Sequence, residues 1–160
     1  MIIDAATPMQ VNFYQLTLSP LDKILPRLLE QIITQKANRI LLVCPDKSTM
    51  QKMDALLWTF AQLSFLPHAT EDDPMPEEQP LLVTTSADHN LNNANIICTL
   101  TYQKPLINFE KLIVMFEQDD IEKKAQIKKL YAELQQQDSL QFNYFIQNSS
   151  GWQKKEKLAL

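Results

Sequence analysis

The sequence predicts an α/β protein, with a mainly parallel sheet covered by helices. Short, almost wholly apolar runs recur at 39–44 (RILLVC), 81–85 (LLVTT), 96–100 (IICTL) and 112–116 (LIVMF). Runs of this length and continuity suit strands buried on both faces of a parallel sheet. Between and beside them lie stretches with helical apolar spacing, at 26–35, 47–60 and 119–136. Strands joined by helices or by crossover-length connections define the class.

The elements follow in order. Residues 9–16 (MQVNFYQL) put Val11 and Phe13 on one side and Tyr14 and Leu16 on the other, and their β-branched and aromatic content favours a strand. A helix is expected from Pro26, where proline fits a first turn, to Gln35, with Leu25, Leu28, Leu29, Ile32 and Ile33 as its apolar face. After the run at 39–44, Asp46 is placed to cap a helix over 47–60. Residues 61–80 read as connection, ending in the proline-interrupted acidic stretch EDDPMPEEQP. The third strand, 81–85, leads through the polar ADHNLNNAN to strands at 96–100 and 112–116. A helix over 119–136 and a short last strand at 142–146 complete the order. Residues 1–152 read as one domain, and 153–160 as a polar, flexible tail.

Composition narrows the function. A chain of 160 residues holds one core. A net charge of -4 repels a phosphate backbone and argues against bulk nucleic-acid binding. No apolar run approaches the ~20 residues of a membrane span, and the start MIIDAATPMQ lacks the basic opening of a secretory signal. Cys44 and Cys98 lie in or at the end of apolar runs, as buried free thiols of a reducing cytoplasm do. With two histidines and no Cys-x-x-Cys spacing, no zinc or other metal site is expected. The single glycine, Gly151, excludes both G-x-G-x-x-G and G-x-x-x-x-G-K-[ST] loops, so no nucleotide cofactor is expected. Cys44 or Cys98 paired with His68 or His89 would be the chemistry of a small thiol enzyme. Thiols inside apolar strands fit inert core better.

Two features do not fit the core pattern. On the 47–60 helix, Met50, Met53, Leu56, Leu57 and Phe60 share an arc, and Trp58 falls off it beside Asp54. Such a tryptophan is either covered by another part of the chain or open to a partner. On the 119–136 helix, Ile127, Leu130 and Leu134 form the core side, while Lys124, Lys128 and Tyr131 form a second row. A solvated helix face is the plain reading of that row, and direct stacking of single-stranded DNA on Trp58 and the lysines is another.

The chain resembles the chi subunit of bacterial DNA polymerase III over roughly residues 10–152. The resemblance lies in the aromatic pair Phe13-Tyr14, in RILLVCPD, in MQKMDALLWTF followed by Ser64-Phe65-Leu66-Pro67-His68, in Pro80 with LLVTT, in FEKLIVMF, and in Gly151-Trp152. It implies a single-domain, Rossmann-like three-layer α/β/α sandwich without a phosphate-binding loop. It implies a non-catalytic accessory role in DNA replication: bridging the clamp loader, through the psi subunit, to single-stranded-DNA-binding protein by holding that protein's acidic C-terminal tail. DNA would then be met only indirectly, with no membrane involved. Carried over by residue, Trp58, Lys124, Lys128 and Tyr131 correspond to the tail-binding pocket. Phe65, Leu66, Pro67 and His68 correspond to the psi-facing surface, or else to a buried loop anchor. The family's last helix usually carries arginines where this one has lysines, and lysine lacks the bidentate fork to a carboxylate. A two-residue shift of register would replace the row by Glu122, Gln126 and Lys129; the register above keeps Ile127, Leu130 and Leu134 inward.

Overall fold

A computed structural model describes residues 8–35, 37–101, 108–137 and 139–157. Among these, the elements run β1 (Met9–Leu16), α1 (Leu21–Ile33), β2 (Ile40–Val43), α2 (Lys47–Thr59), β3 (His68–Thr70), a 3-10 turn (Pro76–Glu78), β4 (Leu81–Thr84), β5 (Ile96–Thr99), β6 (Lys111–Glu117), α3 (Ile121–Leu134), β7 (Leu140–Asn148) and β8 (Gly151–Lys155). The strands form one eight-stranded sheet in the order β3-β4-β2-β5-β6-β1-β7-β8. Every pairing is parallel except that of β7 with β8. This is the mainly parallel α/β/α sandwich that the sequence predicts.

Burial on both sheet faces explains the continuous apolar runs. Ile40, Leu42, Leu81, Val83, Ile96, Cys98, Ile113 and Met115 pack under α1 and α2. Leu41, Val43, Leu82, Ile97, Leu112, Val114 and Phe116 face the opposite way, towards Ile127, Leu130 and Leu134 of α3. The helices take these sides for a topological reason. From β1 through α1 to β2, and from β2 through α2 to β3, the chain moves one way along the sheet; from β6 through α3 to β7 it moves the other. Right-handed crossovers in opposite directions put their helices on opposite faces.

Three expectations are corrected. The first helix begins at Leu21, and Pro26 lies inside it. Pro20 starts the helix, since its carbonyl accepts from the Lys23 amide at 3.1 Å. The carbonyl that Pro26 leaves unbonded belongs to exposed Asp22, within reach of water. The 61–80 connection contains β3 and the 3-10 turn. The polar stretch from Gly151 to Lys155 is a strand, so the sheet extends into the segment read as a tail. It pairs antiparallel with β7, and the Trp152 ring lies edge-on to Tyr14 of β1 at 5.1 Å.

The acidic connection is pinned to the sheet. Arg39 donates to the carbonyls of Glu77 (2.8 Å), Gln79 (3.1 Å) and Asn92 (2.6 Å). The buried carboxylate of Glu71 accepts from Lys47 Nζ (2.9 Å), Thr84 Oγ1 (2.5 Å), Thr85 Oγ1 (2.8 Å) and His89 Nδ1 (2.7 Å). Burial alone would push its pKa up, but these donors hold the carboxyl far below the usual range.

Candidate functional site

In open parallel sheets, ligands enter at the carboxyl ends of two neighbouring strands whose connections leave on opposite faces. Here that place lies between β1 and β6, where Leu16–Pro20 meets Glu117–Asp119 in a crevice. The backbone amides of Thr17, Leu18 and Ser19, just after β1, converge as they would on a phosphate. They are already filled by Gln147 Oε1 of β7, at 3.3, 3.0 and 3.1 Å, while Thr17 Oγ1 donates to the Gln147 carbonyl at 2.8 Å. Pro20 offers no N–H at the start of α1, and Glu117 and Asp119 line the crevice with carboxylates. The amides that follow β1 are thus occupied by the chain's own side chain.

The thiols are equally closed. Cys44 and Cys98 are both fully buried, and burial pushes each up to about 12. The nearby carboxylates of Asp46 and Glu71 push Cys44 further in the same direction. Burial of this kind disfavours the thiolate at neutral pH. The histidine rings are committed to carboxylates, His89 to Glu71 and His68 to Asp54.

The exposed features are more informative. Trp58 is 54% exposed and Phe65 68%, with ring centroids 5.9 Å apart, and Leu63, two residues before Phe65 in the chain, is 99% exposed. Two exposed aromatic rings in contact, with an exposed leucine nearby in the chain, are costly on a surface without a partner. Of the predicted segment, Phe65 reaches this surface, Leu66 is core, Pro67 is half-buried and His68 is buried. His68 therefore supports the patch from beneath. Leu63, at the end of the connection from α2, and Asp54 were missed as members; an apolar residue just past a helix end was the available signal.

On the other face of the sheet, Ile121, Lys124, Ala125 and Lys128 line a groove of about 280 Å³ along α3. Asp120 starts this helix by accepting from the Lys123 amide at 3.1 Å. Ile127, Leu130 and Leu134 are buried, as the chosen register requires. Ile121 is 82% exposed and was missed, although its position out of phase with the buried row marks it. Tyr131 follows Lys128 at half-burial. Its ring lies edge-on to Phe13 (5.9 Å) and Phe142 (5.5 Å), and its hydroxyl accepts from Tyr144 at 3.0 Å.

The expectation of one pocket made by Trp58, Lys124, Lys128 and Tyr131 is corrected by this geometry. Trp58 rides on α2, which packs on one sheet face, and the lysines ride on α3, which packs on the other. The sheet separates them.

The fold and its surfaces define a class: a Rossmann-like domain whose loop amides after β1 are internally occupied and whose exposed features are an aromatic patch and a lysine groove. The model of the family described as DNA polymerase III chi subunit, HolC, matches residues 9–140, and the chain belongs to that family. A curated relative, described as a probable DNA polymerase III subunit chi from Rickettsia prowazekii (strain Madrid E), is 28% identical over 79 residues. That match covers 49% of this chain and 47% of the relative, so the chain spans about half the length of that protein. The family is one of DNA polymerase III subunits. No helix among the described residues is long and apolar enough to cross a membrane.

Proposed function

We propose that this protein is a cytoplasmic, non-catalytic bridging subunit that binds two partners through two separate surfaces. The α3 groove takes the acidic C-terminal tail of single-stranded-DNA-binding protein. Lys124 and Lys128 meet its carboxylates, and Ile121 and Ala125 its apolar side chain, with Tyr131 at the far end. The patch of Trp58, Leu63 and Phe65 takes the psi subunit. DNA is reached only through these partners.

The observation that carries this reading is the placement of an aromatic patch and a lysine-flanked apolar groove on opposite faces of one sheet. Each suits a different partner chemistry. Clustered aromatics anchor a protein interface, whereas paired cations with an apolar floor fit an acidic peptide. Titrating the protein calorimetrically with a tail peptide tests the groove. Lys128→Glu is expected to abolish binding without altering the thermal melt, and Trp58→Ala to leave it unchanged. Equal loss in both variants would contradict the division into two surfaces.

A further inference from the structure

Under the aromatic patch lies a ring that joins its parts. The His68 side chain is fully buried, at 0% exposure. Its Nδ1 meets the Leu66 carbonyl at 2.6 Å, and its Nε2 meets Asp54 Oδ1 at 3.0 Å. Both partners are acceptors, so either neutral tautomer donates one of the two bonds and the imidazolium donates both. The ring centroid lies 4.6 Å from that of Trp58, tilted by 52°. Asp54 and Trp58 are four residues apart on α2 and share a helix face. Leu66 is core, and its neighbour Phe65 leaves towards solvent. The carbonyl that His68 meets thus belongs to the residue that follows Phe65.

We infer that His68 is the positioning residue of the partner surface. Its imidazole ties α2 to the turn before β3, backs the Trp58 indole and sets the 5.9 Å spacing of the Trp58 and Phe65 rings. The effect on psi binding rests on the reading proposed above; the effect on the Trp58 ring does not. A presented pair of aromatics loses less side-chain freedom on binding than a mobile pair, so the benefit appears as affinity.

The test uses a Trp152→Phe background, in which Trp58 is the remaining tryptophan of the two. His68→Ala, His68→Gln and Asp54→Ala are compared by Trp58 anisotropy, by iodide quenching, by thermal melt and by affinity for recombinant psi. Expected in His68→Ala and Asp54→Ala are lower anisotropy, stronger quenching and psi binding weaker by about tenfold, the scale of one charge-assisted hydrogen bond. His68→Gln, whose amide N–H can still reach Asp54, is expected to recover part of each signal. Should His68→Ala fail to fold, Asp54→Ala carries the same test from a partly exposed position. Unchanged Trp58 emission and psi affinity in a folded variant would overturn the positioning role. If Trp58→Ala itself bound psi normally, the partner reading would fall, and Trp58 anisotropy would still decide the role of His68.

Discussion

At the residue scale, Glu71 shows what the acidic connection does. A carboxylate with four side-chain donors joins the end of β3 to α2, to the end of β4 and to the β4–β5 connection. Because its folded pKa is depressed, its contribution to stability is complete above the unfolded value of about 4.3 and is lost as pH falls through the folded pKa. Glu71→Gln is expected to cost about 2–3 kcal/mol at neutral pH, the scale of buried charge-assisted hydrogen bonds. Denaturant melts should show the gap between the two proteins narrowing below about pH 4; a gap independent of pH would contradict this role. Cys44 and Cys98 make a second residue-scale prediction. With both thiols buried and pushed up to about 12, a thiol reagent should modify them only as fast as the protein opens. Rapid labelling of either in the native protein would reopen thiol chemistry.

At the element scale, the buried strands were legible because burial on both faces leaves nearly continuous apolar runs, and each such run became β2, β4, β5 or β6. The α2 start was legible through Asp46, which accepts from Thr49 at 2.7 Å, whereas Asp120, which caps α3 by accepting from Lys123 at 3.1 Å, was not singled out. Asp120→Ala should cost about 1 kcal/mol in a thermal melt, as loss of such a cap does. β8 was not legible, because Gln153, Lys154 and Lys155 are exposed on an edge strand and leave no apolar alternation. β3 was hidden because it has three residues and follows the irregular segment Phe65-Leu66-Pro67. The start of α1 was misread because proline inside a helix costs less when the orphaned carbonyl can reach water. Gln147 lay outside any pattern: a glutamine on a strand gives no sign that it will fill three amides some 130 positions away. Gln147→Ala should strand those amides and destabilise the protein by about 1–3 kcal/mol. In amide NMR spectra, the signals of Thr17, Leu18 and Ser19 should shift most.

At the scale of the whole molecule, the sequence picked out exposed side chains better than it grouped them. Trp58, Phe65, Lys124 and Lys128 do reach or approach the surface. The error was to place Trp58 with the lysines, because the face a helix covers depends on strand order, and strand order is not written in apolar periodicity. The separation has a consequence for assembly. Binding at one surface need not disturb the other, and the effects of Trp58→Ala and Lys128→Glu should add in a double variant. Raised salt should weaken tail binding, which depends on exposed charge, and should affect psi binding much less.

The central claim is that two surfaces on opposite sheet faces serve two partners. The most direct measurement is a paired titration: tail peptide and recombinant psi, each against wild type, Trp58→Ala and Lys128→Glu. The account predicts a crossed result, with Lys128→Glu losing the peptide and keeping psi, and Trp58→Ala losing psi and keeping the peptide. Loss of both partners in either folded variant, or of neither in both, would contradict it.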